Sequence, residues 1–465
     1  MNLKKNDTLT LDVTDITNLG FGVARHEGEV IFISDTVTGD RLRAKIIKTT
    51  SSYAVGKLIE LISASPYRTD ERCNISQCKS CAYKNIKYEI EKKIKADMVS
   101  SAFKKCGLSD VEIAPLVSSP RTSAYRNKAQ YPIAKSQSGE YTIGFYAPKS
   151  HRVTEAAGCP LSHPVFSEIL DTLRAFFKKH DLTVYDEERG DGLMRHVYLR
   201  RGEVSGEILL TLVINGKSLP HSEELIELIT TRFTLVVGIL LNHNEKSTNV
   251  ILGEDYTTLY GRNYIFDTLA GVELKITAPS FYQVNHDCAE LLYAKARELA
   301  NLKKSDTLLD LYCGAGSIGL SMAQDCRELV GIEIVESAVE CAIFNAEHNG
   351  IENASFYSGD AADTERLLEN AELLRGEKIL PRVVILDPPR AGSNETLLNH
   401  IATSLSPERI VYISCNPQTL ARDCAVLRRL GYSIGVVTPV DMFPGTGHVE
   451  SVVCLTRRLD IDMRR

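Results

Sequence analysis

The chain has 465 residues, of which 43% are apolar and 25% charged, and a formal net charge of −6. That is enough apolar material for a large core divided over two or three domains. No apolar run approaches the ~20 residues of a bilayer crossing, and the opening MNLKKNDTLTLDV lacks a signal-peptide core, so a cytoplasmic globular protein without membrane association is expected.

Residues 1–60 carry short alternating runs (Thr8 to Val13, Val30 to Ile33, Leu42 to Ile47, Ala54 to Leu61) parted by Gly20, Gly22, Gly28, Gly39 and Gly56. Strands of this length with glycine turns predict a small OB-like antiparallel barrel. Residues 61–277 follow as a central α+β domain. It opens on a polar turn from Cys73 to Cys81 and a lysine-rich helix predicted over Tyr83 to Lys105, and the helix near 91–120 is expected to pack with the catalytic domain. Strands are predicted at Lys128 to Ile133, Tyr141 to Tyr146, Val197 to Leu199, Gly206 to Ile214 and Thr234 to Asn242, with helices near 164–179 and 221–231. From 278 to 465 strands alternate with helices, the signature of an open parallel sheet.

In that last region LLDLYCGAGSIGLSMA (308–323) reads as a strand ending at Asp310, a glycine turn and a helix. Gly314 and Gly316 let the backbone approach a ligand at the carboxyl edge of the sheet. Glu333 ends the next strand, where it can accept hydrogen bonds from ribose hydroxyls, and Asp360 ends a third beside the place for an adenine amino group. Acids at successive strand ends, with no phosphate-binding lysine, favour S-adenosylmethionine over a phosphate-bearing dinucleotide. Two further strands, VVILDPPR (383–390) and IVYISCNP (410–417), should bring Asp387 and Cys415 to the same cleft.

With FYQVN (281–285), DLYCGAG (310–316), GIE (331–333), LDPPR (386–390), SCNP (414–417) and MFPGTGHVESV (442–452) in this order, the chain resembles the RNA (uracil-C5)-methyltransferases. The resemblance covers the whole carboxyl-terminal domain, and the front barrel is similar to their TRAM domain. It implies a Rossmann-like class I α/β catalytic domain behind an OB-like barrel and an α+β middle. It also implies Cys415 as the nucleophile that adds to carbon 6 of uracil and Glu450 as the base that removes the carbon 5 proton. Gln283, Tyr312 and Glu333 match cofactor-binding positions; Asp387 orients either the uracil edge or the methionine end of the cofactor. A target base reached from two sides must leave its stack.

Twelve cysteines in a long chain without an export signal suit metal binding or catalysis better than disulfides. Cys73, Cys78 and Cys81 are spaced C-x4-C-x2-C, and Cys159 is an available fourth thiolate; four thiolates hold either an iron–sulfur cluster or zinc. The resemblance implies a 4Fe–4S cluster, as in one branch of the family. Cys106, Cys288, Cys313, Cys326, Cys341, Cys424 and Cys454 read as core, turn or helix-face residues.

Net charge gives no support to a nucleic-acid partner, but lysines 79, 84, 87, 92, 93, 95, 104 and 105 with Arg121, Arg126, Lys128, Lys149 and Arg152 form local basic runs around the cluster cysteines. They predict a phosphate-binding surface; Tyr125 and Tyr131 either add aromatic faces to it or pack in the core, the second reading being at least equal for each. The cluster and barrel together resemble the branch acting on 23S ribosomal RNA, the favoured partner of an expected monomer. Transfer RNA is the alternative substrate. A cytosine-C5 enzyme and an RNA-binding protein with a degenerate catalytic domain are the rival classes; Ser414-Cys415 in place of a Pro-Cys pair speaks against the first, and the intact set Gln283, Glu333, Asp387, Cys415 and Glu450 against the second.

Overall fold

Alternation in the first sixty residues closes a barrel. In the computed structural model, which describes residues 3–69, 73, 75, 78, 80–148 and 150–458, β1 (Thr8–Ile16), β2 (Gly22–His26), β3 (Glu29–Ile33), β4 (Arg41–Thr49) and β5 (Ala54–Ser63) are ordered β1-β2-β3-β5-β4, with β3 and β5 parallel. Leu11, Val13, Ile31, Leu42, Ala44 and Ile46 point inward at period two and fill it.

The lysine-rich helix, α1 (Tyr88–Lys105), starts five residues later than the sequence predicts. Tyr83 and Ile86 are tied into a turn instead: the Ile86 N–H donates to the Tyr83 carbonyl (3.0 Å) and the Tyr83 N–H to the distant Gly445 carbonyl (3.0 Å). Val99, Ala102 and Phe103 of α1 are buried in one core with Leu309, Val330, Leu386 and Leu427, so α1 packs on the catalytic sheet.

The middle of the chain is a second sheet. It contains β6 (Lys128–Lys135), β7 (Tyr141–Tyr146), β8 (Val153–Glu155), β9 (Met194–Arg201), β10 (Ile208–Ile214), β11 (Val236–His243) and β12 (Asp255–Gly261), with α2 (Pro164–Lys179) and α3 (Ser222–Arg232) between them. The order is β12-β11-β10-β9-β6-β7-β8. Phe166, Ile169, Leu170, Leu173, Phe176 and Phe177 recur at helical spacing and bury one face of α2 on this sheet. On the other face Tyr198, Leu209 and Leu240 join the hairpin β13 (Tyr264–Leu269) and β14 (Val272–Thr277) in the catalytic core.

The remainder alternates as predicted: α4 (His286–Ala300), β15 (Thr307–Leu311), α5 (Ser317–Met322), β16 (Glu328–Glu333), α6 (Glu336–His348), β17 (Ala354–Ser358), α7 (Thr364–Arg375), β18 (Val383–Leu386), α8 (Glu395–His400), β19 (Arg409–Ser414) and α9 (Pro417–Arg429), closed by β20 (Tyr432–Ile434), β21 (Thr438–Val440) and β22 (Glu450–Arg457). The sheet runs β17-β16-β15-β18-β19-β22-β20, with β21 paired to β22. Because β15 to β19 are parallel and β22 enters antiparallel beside β19, the carboxyl ends of the first group and the amino end of β22 share one edge. Ligands bind open α/β sheets at that edge.

Candidate active site

The turn after β15 is held by its neighbour strand. Both the Tyr312 and Cys313 N–H groups donate to the Ile332 carbonyl (3.0 and 3.1 Å). Tyr312 takes φ +66°, a left-handed conformation that costs a residue with a Cβ of order 1–3 kcal/mol and recurs at functional turns. Gly314 follows at φ +55°, and a side chain there would point into open space. Its N–H donates to Glu333 Oε2 (3.0 Å), while Glu333 Oε1 accepts from the Val335 N–H (2.9 Å). Ile334 and Val335 are 62% and 51% exposed, an apolar step beside the acid that suits a flat aromatic base. Asp360 is exposed and caps the next turn through the Ala362 N–H (2.9 Å).

Asp310 lies fully buried beneath this turn. Its Oδ2 accepts from the Gly319 N–H (2.9 Å), and Oδ1 has no partner. Burial pushes its carboxyl up to about 8, with Asp387 and Glu333 adding to the shift and no cation opposing it. A pocket of carboxylates short of positive charge fits S-adenosylmethionine, whose sulfonium and ammonium are cationic. Gln283 is buried at the same edge, its carbonyl accepting from Asn127 Nδ2 (2.8 Å).

Cys415 and Glu450 meet through strand register. Ser414 on β19 pairs with Ser451 on β22, so the next position on one strand and the previous one on the other, Cys415 and Glu450, stand opposite each other at the open edge. Cys415 is half-buried and Glu450 is 4% exposed. Burial, and then Asp387, raise the Glu450 carboxyl to about 8 against the opposing pull of Arg390. The Cys415 thiol is likewise pushed up by burial, then by Glu450 and Asp387, and drawn down by Arg390. Asp387, half-open to the cleft, is itself raised to about 7 by burial. Burial thus holds Asp387, Cys415 and Glu450 all above their ordinary values, and repulsion adds to the shift at Cys415 and Glu450, where Arg390 opposes it.

The loops that carry these groups are fixed from behind. Lys95 of α1 is fully buried, paired to Asp441 (2.6 Å) and Glu91 (2.8 Å), and donates to the Phe443 carbonyl (3.0 Å). Glu91 also accepts from the Gly445 N–H (2.6 Å). These bonds clamp the loop leading into Glu450 to α1. Behind the DPPR turn, Asp423 Oδ2 accepts from the Ser393 N–H (2.9 Å) and the Tyr412 hydroxyl (2.6 Å), and Arg422 donates to the Ala391 carbonyl (2.9 Å). Gly392 sits there at φ +76°, where a Cβ would lie 2.6 Å from both Arg422 and Asp423.

The structure thus gathers Tyr312, Gly314, Gly316, Glu333, Asp360, Asp387, Cys415 and Glu450 along one sheet edge, with Gln283 beside them. It adds Arg390, Lys95, Glu91 and Asp441, of which the sequence singled out only Arg390, within the DPPR string, and Lys95, as part of a basic run. Several expectations about the RNA surface are corrected. Lys95 is a core cation held by two acids; Tyr125 and Tyr131 are 0% and 1% exposed, their hydroxyls donating to the Pro444 carbonyl (2.9 Å) and Ser162 (3.2 Å); neither tyrosine can stack on a base. Arg121 is engaged by Asp287 (2.6 Å) and Glu203 (2.9 Å). Lys79 and Lys149 lie outside the described residues. Cys106, read as a core or helix-face residue, is exposed at the end of α1.

Cys73, Cys78, Cys81 and Cys159 lie within electrostatic reach of one another. Burial raises Cys81 to about 12, and the charges of Cys159, Cys78 and Cys73 add to it; Cys73 is raised by burial and then by Cys159 and Cys78. Among the described residues, no three His, Cys, Asp or Glu side chains are grouped as ligands of a single metal ion.

Sheet order, glycine turn and acid-tipped strands define a class I methyltransferase that uses S-adenosylmethionine. Residues 87–458 match the tRNA (Uracil-5-)-methyltransferase family and residues 3–59 the TRAM domain; the chain belongs to this family of RNA uracil-C5 methyltransferases. It is 38% identical over 460 residues to an uncharacterized RNA methyltransferase of Clostridium acetobutylicum, covering 98% of each chain, and 39% identical over 457 residues to one of Bacillus cereus, again covering 98% of each. Among solved structures it is similar to the Pyrococcus abyssi tRNA (uracil-54, C5)-methyltransferase in complex with S-adenosyl-L-homocysteine, with TM-score 0.77, 25% identity and 96% and 99% of the two chains covered. No helix among the described residues is long and apolar enough to cross a membrane.

Proposed function

We propose that the protein methylates carbon 5 of a uridine in 23S ribosomal RNA through a covalent bond between Cys415 and carbon 6 of the base. The observation that carries this reading is the register that sets Cys415 opposite Glu450, with Asp387 at the same edge. S-adenosylmethionine, when bound between the glycine turn and Glu333, supplies an electrophilic methyl. Uracil carbon 5 is a poor nucleophile until the Cys415 sulfur adds to carbon 6 and moves electron density onto it. Arg390 favours the thiolate that this addition needs. After methylation carbon 5 bears both a methyl and a proton; Glu450 takes the proton, the carbon 5–carbon 6 double bond reforms, and Cys415 leaves. Asp387 acts on both groups by its charge and orients the base or the methionine end of the cofactor. Replacing Cys415 with Ser should abolish methylation with S-adenosylhomocysteine affinity unchanged; normal turnover in that variant would reject the mechanism.

The C-x4-C-x2-C spacing, and the charge effects that Cys73, Cys78, Cys81 and Cys159 exert on one another, support a 4Fe–4S cluster on these four residues. Its ligands stand farther apart than those of a single ion, and its work is structural or in docking RNA, since methyl transfer moves no net electron. Barrel and cysteine set favour the ribosomal branch in the cytoplasm. Transfer RNA is the second reading, favoured by the substrate named for the Pyrococcus abyssi enzyme. Mass mapping of 5-methyluridine in both RNAs from a deletion strain decides: loss from transfer RNA alone would overturn the ribosomal assignment.

A further inference from the structure

We infer that Arg126, Lys128 and Arg200 form a seat for one phosphodiester of the RNA strand, next to the nucleotide that enters the cleft. This rests on the RNA-methylation reading above and specifies how that site grips its strand. Lys128 on β6 and Arg200 on β9 are directly paired, so their side chains leave the sheet on the same side. Arg126 precedes Lys128 by two residues along extended chain and shares that side. It is the side on which Tyr198 joins the catalytic core.

Three positive charges meet here with no carboxylate among them, and Arg126 also lies within reach of the Cys81 thiol, which its charge draws down. Burial, then Arg200, then Arg126 push the Lys128 ammonium down to about 8, and no carboxylate opposes them. Among the described residues, neither the Arg126 guanidinium nor the Lys128 ammonium makes a hydrogen bond or ion pair. Arg200 is 1% exposed; its Nη2 donates to the Tyr198 hydroxyl (2.8 Å) and to the Ala278 and Ser280 carbonyls (3.1 and 2.6 Å), but Nε and Nη1 have no partner. The neighbouring arginines differ: Arg121 is neutralised by Asp287 and Glu203, and Arg201 by Glu203 (3.1 Å). Gathering like charges in a half-buried site destabilises the free protein, and an anion relieves it.

The position selects the anion. Arg200 holds the carbonyls of Ala278 and Ser280, and Asn127, between Arg126 and Lys128, holds that of Gln283, so the site adjoins the segment that carries Gln283 and leaves Phe281 69% exposed. The charge of Arg126 also reaches His448, two residues before Glu450. An anion seated here lies on the rim of the reacting cleft, where a strand delivering one base must pass its backbone. Arg126 and Lys128 would touch the phosphate, and Arg200 would act from behind by its charge. The carboxylate of the cofactor is the competing anion, and affinity measurements separate the two.

The test uses the full chain, with S-adenosylhomocysteine binding followed by calorimetry and binding of protein-free ribosomal and transfer RNA followed across salt concentration. Lys128→Gln and Arg126→Gln should each weaken RNA binding several-fold at about 0.1 M salt and reduce the slope of log K against log salt by about 0.7, with S-adenosylhomocysteine affinity unchanged. Arg200→Gln, if folded, should weaken RNA binding in the same direction. Unchanged RNA affinity and slope in both surface variants would overturn the seat while leaving the methylation reading standing. Loss of S-adenosylhomocysteine affinity with intact RNA binding would assign the cations to the cofactor and also overturn it. A wild-type chain that binds neither RNA would reject the underlying reading itself.

Discussion

Replacing Glu450 with Gln tests the chemistry and the electrostatics at once. Glu450 titrates at about 8 in the folded chain against an ordinary 4.5, and each unit is worth ~1.36 kcal/mol, so ionising it in the empty site costs on the order of 5 kcal/mol relative to the unfolded chain. The folded value is the raised one. The penalty is therefore absent below the unfolded value of 4.5, grows as pH rises, and is complete above about 8. Glutamine has the same shape and cannot ionise. Glu450→Gln should match the wild type in free energy of unfolding by urea near the unfolded pKa and exceed it by several kcal/mol above the folded one. Catalysis should move the opposite way. Addition of Cys415 to the base does not need the carboxylate but its elimination does, so turnover should fall by roughly 10²–10⁴ while a denaturant-resistant protein–RNA adduct accumulates. In the wild type turnover at saturating RNA should rise with pH as the base, held above the ordinary carboxylate range, ionises. Normal turnover, absence of an adduct, or a variant less stable than wild type at alkaline pH would refute this reasoning.

Arg390 is the cation that draws both Cys415 and Glu450 down; Arg390→Gln should shift the rising limb of the turnover profile to higher pH, and an unmoved limb would show that the arginine acts elsewhere. Lys95→Met leaves Glu91 and Asp441 buried without their counter-charge and should cost about 3–5 kcal/mol by urea titration, with partial recovery when both acids are replaced by their amides. Anaerobically purified protein should carry iron and sulfide with visible absorption and lose them in Cys81→Ser; stoichiometric zinc without colour would overturn the cluster assignment.

Strand–helix alternation after residue 280 was legible because each element carries its own period, and so was the barrel. The edge strand β12 was not, because DYTTLYG is a mostly exposed edge with little apolar alternation; the hairpin β13–β14 does alternate and escaped the reading all the same. The start of α1 was misplaced because Tyr83 is held by Gly445, more than three hundred residues away.

The site divides in the same way. Glycine turns, acids at strand ends and a cysteine before Asn-Pro are local signals, since backbone conformation and strand termination depend on adjacent residues; they suffice to indicate the cofactor class and to bring Cys415 to the cleft, while its proposed role as nucleophile came from the family resemblance. Charge is not local. Sequence makes Lys95 and Lys128 equivalent members of a basic run, yet folding buries the first between two carboxylates and sets the second beside two unneutralised arginines. Whether a cation serves the core or a ligand depends on which partners the fold brings within a few ångströms and how much water it excludes, and only the packing of β6, β9, α1 and the loop before β22 decides that.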